Sequence, residues 1–304
     1  MTVIELIEAG AQRLADAGVA FGHGTANAFD EAAWLVLWKL GYPLDQIDEH
    51  ADKAVAPEQL AAVDALLAER IASRKPAAYL TREAWLQGVP FYIDERSIVP
   101  RSFIAEIIDN GDIDYWLGEH TQRVLDLCTG NGSLAVIAAL CWPDVSVAAA
   151  DISPKALEVA RINVDRHGLG DRITLIHSDG LQGVRGVFDL VLCNPPYVNA
   201  QSMAQLPAEY HAEPKLALAG GADGMDFVRR LLADAPAHLS EHGVLVLEIG
   251  NERANFEAAF PRLPAVWLET SAGDDQVLLL TREALLTRHP GLAPGSMDSG
   301  SIPE

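Results

Sequence analysis

Val124-Leu125-Asp126-Leu127-Cys128-Thr129-Gly130-Asn131-Gly132-Ser133 reads as a short buried strand that runs into a glycine turn and then a helix. The apolar run is too short for a helix and suits a strand. Gly130 and Gly132 can adopt backbone conformations other residues avoid and can approach a ligand closely. A helix beginning near Ser133 leaves its first N–H groups free. The same texture continues downstream, with strand candidates at 124–127, 145–150, 173–177, 188–193, 244–249, 266–270 and 276–280. Helix candidates lie at 133–140, 154–167, 226–239 and 252–260, with Ser153 placed to cap the second. Alternation of this kind predicts an α/β fold whose mostly parallel sheet is covered on both faces.

Upstream the pattern changes. Thr2-Val3-Ile4-Glu5 fits a capping box, Asn27 and Asp30 can start a second helix closed by Gly41, and Pro57 suits the first turn of a third. These predict a helical domain over 1–83. Apolar residues around Gly88-Val89-Pro90 predict a β-hairpin linker over 84–100, followed by a helix over 103–116 that opens the sheet domain, 101–288. The glycine- and proline-rich stretch 289–304 is expected to be a disordered tail.

Twenty-two basic side chains against 43 acidic ones give a net charge of −21. Non-specific nucleic-acid binding draws its affinity from phosphate neutralisation, so this balance argues against direct contact with nucleic acid. It suits a basic protein partner, or simply solubility. No apolar run approaches the roughly 18 residues that span a bilayer. The start of the chain lacks a basic region before an apolar one, so neither membrane insertion nor secretion is expected. Cys128, Cys141 and Cys193 lie in apolar contexts and suit reduced thiols in the cytoplasm, and no Cys/His grouping has the spacing of a metal site.

Two further strand ends carry chemistry. Asp151 closes the second strand of the alternating region, where an acidic residue can take both hydroxyls of a ribose or can cap the next helix. The turn after Leu127 lacks the G-x-G-x-x-G pattern of dinucleotide sites, and Asp126 would repel a pyrophosphate. Asp126 suits a ligand that carries an ammonium group. Asp179, beyond the third strand, can accept from an adenine amino group or sit in solvent. The fourth strand ends in Leu192-Cys193-Asn194-Pro195-Pro196-Tyr197. Two prolines, neither with an N–H for a sheet ladder, make that loop stiff. Its acceptors, the Asn194 side-chain oxygen and the Pro195 carbonyl, can hold a planar –NH2 beside the flat wall of Tyr197.

Asn194-Pro195-Pro196-Tyr197-Val198, Arg74-Lys75-Pro76-Ala77-Ala78-Tyr79, Glu213-Pro214 with Ala217-Leu218-Ala219-Gly220-Gly221, and Leu247-Glu248-Ile249-Gly250 resemble the protein-(glutamine-N(5)) methyltransferases, the HemK/PrmB group, over about Thr2 to Leu286. The resemblance implies a seven-stranded Rossmann-like sheet that binds S-adenosylmethionine, and an amino-terminal helical domain that recognises a protein substrate. It implies a cofactor site of Asp126, Cys128, Thr129, Gly130, Asn131, Gly132, Asp151, Ile152, Asp179, Gly180 and Asn194. Asn194, Pro195 and Tyr197 would be catalytic and would hold the substrate with Pro196, with no metal. Pro100-Arg101-Ser102 and Cys128 depart from the release-factor branch. With Gly273-Asp274 they resemble the branch that methylates large-subunit ribosomal protein L-three. Gly180 replaces the tryptophan usual in release-factor enzymes, which leaves Leu181 as a substitute wall for adenine. Arg101 matches a hinge arginine, with cofactor contact and packing both open. The competing expectations are a release-factor methyltransferase, an adenine-N(6) nucleic-acid methyltransferase, and a non-catalytic ribosome-assembly factor.

Overall fold

The computed structural model describes residues 1–118 and 120–287, so the expected tail at 289–304 lies outside the described residues. The helix Val3–Asp16 starts on a complete capping box, in which the Thr2 hydroxyl accepts from the Glu5 N–H and the Glu5 carboxylate accepts from the Thr2 N–H. Asn27 caps Ala28–Leu40, and Gly41 closes it at φ 74°. Pro57–Ser73 follows, and its face of Val63, Leu66 and Leu67 meets Ile7, Leu14, Leu35 and Leu37 in one buried cluster.

An ionic layer lies beside that apolar one. Arg70, 0% exposed, donates from Nε to Glu31 Oε1 at 2.7 Å and from Nη1 to Glu209 Oε1 at 3.3 Å, and Arg74 Nη1 reaches the same Glu209 oxygen at 3.2 Å. Glu209 belongs to the segment after the Asn194 loop, so the helices hold that segment directly.

The strands β1 (Glu83–Leu86) and β2 (Val89–Tyr92) pair antiparallel. Their turn residues Gln87 and Gly88 have φ 47° and 71°, left-handed values that let a two-residue turn follow the strand twist. Asn163, fully buried, accepts from the Tyr92 N–H at 2.7 Å and donates to the carbonyls of Tyr92 and Asn131 at 3.0 and 2.9 Å. One side chain thus ties the hairpin to the glycine turn.

The main sheet contains β3 (Arg123–Leu127), β4 (Ser146–Asp151), β5 (Ile173–His177), β6 (Phe188–Cys193), β7 (Leu239–Glu248), β8 (Val266–Thr270) and β9 (Gly273–Thr281), in the order β5-β4-β3-β6-β7-β9-β8. The strands β3 to β7 run parallel, and β9 is antiparallel to both its neighbours. Along β6 and β7, Leu190, Leu192, Val244 and Val246 face one core while Val191, Cys193, Leu245 and Leu247 face the other. Burial on both faces is why these strands read as continuous apolar runs. The order turns about β3, with β4 and β5 on one side and β6 and β7 on the other. Open α/β sheets form their ligand crevice outside the strand carboxyl ends at such a reversal. Leu127 pairs with Cys193, so the turns at Cys128 and Asn194 open side by side.

Three boundaries differ most from expectation. The helix expected over 103–116 is Ile104–Asn110, because Gly111 caps it at φ 74° and Asp114–Trp116 forms a separate 3₁₀ turn. The helix expected over 226–239 stops at Asp234 ahead of Pro236, whose ring and missing N–H cannot continue it. The strand β7 then begins at Leu239 rather than 244, where Leu239 pairs with Phe188 across an irregular register.

Candidate active site

The glycine turn is braced from behind. Asp126, 1% exposed, accepts from the Thr129 hydroxyl and from the Ala135 N–H at 3.0 Å. Burial pushes its carboxyl pKa up to about 7, and its Oδ1 has no protein partner. Asn131 donates to the Ile98 carbonyl at 2.9 Å and accepts from the Ser133 N–H at 2.9 Å. Gly132 sits at φ 81°, and a Cβ there would lie 3.1 Å from the Ala160 methyl. Asp126, Thr129, Asn131 and Gly132 therefore shape the turn, while Cys128 and Gly130 face a cavity of about 250 Å³ at the switch point.

Asp151, at the end of β4, lines the same cavity. Its Oδ2 accepts from the Gly130 N–H at 2.9 Å and its Oδ1 from the Ser153 N–H at 2.8 Å. Ser153 itself caps the following helix, accepting from the Ala156 N–H at 3.2 Å. Burial raises the Asp151 pKa. Ile152, Asp179 and Gly180 complete that side. Asp179 is paired with Arg230 at 3.2 Å. Leu181 does not line this cavity: it is 6% exposed and packs in the core with Val184 and Phe188, and it borders a smaller neighbouring cavity with Gly180 and Phe227. Phe227 lines the cavity instead, with its ring edge 3.7 Å from where a Gly180 Cβ would stand. Gly180 has φ 56°, so a large side chain there would be strained and would crowd that ring. Ser97 also lines the cavity, and its buried hydroxyl has no partner.

Asn194 and Pro196 also line the cavity, whereas Pro195 is buried and does not. The Asn194 Nδ2 donates to Glu248 Oε1 at 3.1 Å, and the Tyr197 hydroxyl lies 3.4 Å from the same oxygen. Glu248 Oε2 accepts from the Ser102 hydroxyl at 2.6 Å and the Phe103 N–H at 2.9 Å. Burial raises the Glu248 pKa, opposed by those donors and by the nearby charge of Arg101. Tyr197 is seated against glycines: a Cβ on Gly220 would lie 2.7 Å from its backbone and one on Gly250 2.5 Å from its ring. That close approach explains both glycines.

Arg101 does not line the cavity. Its guanidinium grips Glu213 through two bonds of 2.6 and 2.7 Å and donates to the Val99 carbonyl at 3.1 Å. Glu213 also accepts from the Val99 N–H at 3.0 Å and lies 3.5 Å from His23. Arg101 and His23 outweigh burial and hold the Glu213 carboxyl down at about 2. Sequence reading gave Glu213, Glu248 and Phe227 no role. Glu248 had a signal, since a carboxylate ending the apolar run Val244-Leu245-Val246-Leu247 has to be partnered where it is buried. Phe227 had none, because its place at Gly180 comes only from tertiary packing.

A reversal-point cavity between a glycine turn, an acidic strand end and an Asn-Pro-Pro-Tyr loop defines a methyltransferase, and residues 110–210 match the methyltransferase small domain. The hMettl16 catalytic domain, solved with a MAT2A 3′UTR hairpin, shares the fold with a TM-score of 0.50 at 15% identity, over 74% of this chain and 81% of that one. The chain belongs to the ribosomal protein uL3 glutamine methyltransferases. The protein of that name from Burkholderia pseudomallei is 53% identical over 288 residues, covering 92% of this chain and 94% of its own length. The one from Neisseria meningitidis serogroup B is 47% identical over 287 residues, covering 94% of each.

Proposed function

We propose that this enzyme uses S-adenosylmethionine to methylate the side-chain amide nitrogen of a glutamine in ribosomal protein uL3, the large-subunit protein L-three. The observation that carries the reading is the Asn194 amide, whose nitrogen is taken by Glu248 at 3.1 Å and whose oxygen is thereby free for the cavity. The residues fit the cofactor: Asp151 suits its ribose, Phe227 its adenine ring, and the orphaned Ser97 hydroxyl lacks a polar partner that such a ligand would supply. When bound, S-adenosylmethionine supplies an electrophilic methyl group on a sulfonium.

The chain's own task is to make a poor nucleophile attack. An amide nitrogen shares its lone pair with its carbonyl. Acceptance of an N–H group by the Asn194 side-chain oxygen, which lines the cavity, raises its electron density and fixes its direction; the family resemblance adds the carbonyl of the buried Pro195 as a second acceptor. Fixed geometry and prearranged dipoles then lower the barrier with no strong base in attendance. The substrate assignment rests on the relatives' activity, and the net charge of −21 favours a basic partner. Incubating purified uL3 and release factor with radiolabelled cofactor tests it, with label expected in uL3; label in release factor alone would refute it.

Phe227→Ala should weaken S-adenosylmethionine binding roughly tenfold to a hundredfold, as loss of an aromatic stacked on a base does elsewhere. Phe227→Tyr should bind nearly as wild type. Calorimetric titration of both variants reads this directly, and an unchanged Kd for Phe227→Ala would remove the ring from the adenine site.

A further inference from the structure

The terminal torsion of Asn194 leaves open which end of its amide meets the substrate. The oxygen end accepts, the nitrogen end donates, and a half-turn exchanges them. Only the oxygen end can hold a substrate –NH2. Resting on the function proposed above, we infer that Glu248 is a positioning residue that holds the Asn194 amide in the one orientation able to orient the substrate nitrogen.

An ionised carboxylate has acceptors and no donor, so the atom 3.1 Å from Glu248 Oε1 must be the amide nitrogen. The reversed amide would place two oxygens against each other at that separation. Glu248 cannot turn to avoid the conflict. Its Oε2 is held by the Ser102 hydroxyl at 2.6 Å and the Phe103 N–H at 2.9 Å, and Tyr197 approaches Oε1 at 3.4 Å. The carboxylate is 3% exposed and none of its hydrogen-bond partners is a cation, although Arg101 acts on it from farther away. Burying a charge without a bonded counter-charge is costly. A glutamine here would have similar size without that cost, but its own amide could present either end to Asn194. Only the carboxylate enforces the choice. Its position at the end of β7, with partners on the 102–103 turn and the Asn194 loop, also locks three separate stretches of chain at the site.

The test is Glu248→Gln in the full-length enzyme, alone and combined with Asn194→Ala. With uL3 as substrate, Glu248→Gln should lower kcat about tenfold to a hundredfold, the scale of a small misplacement of a reacting group. The Kd for S-adenosylmethionine should stay within about twofold of wild type, because Glu248 does not itself line the cavity. On the Asn194→Ala background the same change should lower kcat no further. Equal losses on both backgrounds, or wild-type kcat for Glu248→Gln, would overturn the assignment.

Side-chain amide NMR gives a readout free of the substrate question. The Asn194 amide, assigned by its loss in Asn194→Ala, should show one strongly hydrogen-bonded proton that moves toward the free value in Glu248→Gln. A signal unchanged by that substitution would overturn the inference even if no protein substrate were methylated. If Glu248→Gln does not fold, Ser102→Ala loosens the carboxylate from behind and should lower kcat several-fold, again only where Asn194 is present. Equal loss on both backgrounds would refute it.

Discussion

Replacing Asn194 with alanine is expected to lower kcat by about a hundredfold to a thousandfold, the cost of removing one prearranged polar group from a reacting centre. The Kd for S-adenosylmethionine should change little. Asn194 lines the cavity at the end of β6, and Gly130, Asp151, Ile152 and Phe227 line it as well. Its loss therefore removes orientation of the substrate nitrogen and leaves those other lining residues in place. The backbone stays in place because Pro195 and Pro196 restrict it and Val198 bonds to Leu218 and Gly220 at 2.9 Å each way. Asn194→Asp is expected to fail as badly despite its equal size, since a second carboxylate would face Glu248 where the amide nitrogen now lies 3.1 Å away. Rapid-quench turnover with calorimetric binding separates these effects. Equal loss of binding and turnover would show that Asn194 serves the loop rather than the reaction.

The largest effect on stability is expected far from the cavity. Arg70→Met keeps most of the buried stem and removes the charge between Glu31 and Glu209, each 1% exposed. Breaking a buried ion pair from one side costs about 3–5 kcal/mol, because the orphaned carboxylate stays out of water. Arg74 still reaches Glu209 at 3.2 Å, so Glu31 carries most of the damage. Burial already raises the Glu31 pKa, against the pull of Arg70. Without Arg70 the folded-state pKa should rise further above the unfolded value. A carboxyl shifted that way binds its proton more tightly when folded, so the deficit should shrink as pH falls and grow as pH rises. Urea unfolding of Arg70→Met at pH 5 and pH 8 checks the sign, and a deficit larger at pH 5 would contradict it. Glu31→Gln on the Arg70→Met background should recover part of the loss.

Much of the architecture was written in local signals. The Thr2 capping box, Gly41 and Pro57 marked helix ends, and β5, β6 and β8 begin and end where their apolar runs do. Asn194-Pro195-Pro196-Tyr197 announced itself because two prolines after a buried strand permit little but a stiff loop. Glycine and proline also account for the misses. Gly111 cut short a helix that periodicity extended, and Pro236 freed Leu239 for β7. The partnerships were hidden: Arg101 with Glu213, Glu248 with Asn194, and Phe227 beside Gly180 join residues far apart in sequence. Burial turns those contacts into strong constraints, and burial is a property of the folded chain.

The central claim is that this enzyme methylates a glutamine amide of uL3. Mass spectrometry of purified uL3, after incubation with the enzyme and S-adenosylmethionine, tests it most directly. The expected result is one added methyl group on a glutamine side chain with the wild-type enzyme, and far less of that product in the same time with Asn194→Ala. Methylation of release factor while uL3 stays unmodified, or equal methylation of uL3 by both enzymes, would contradict it.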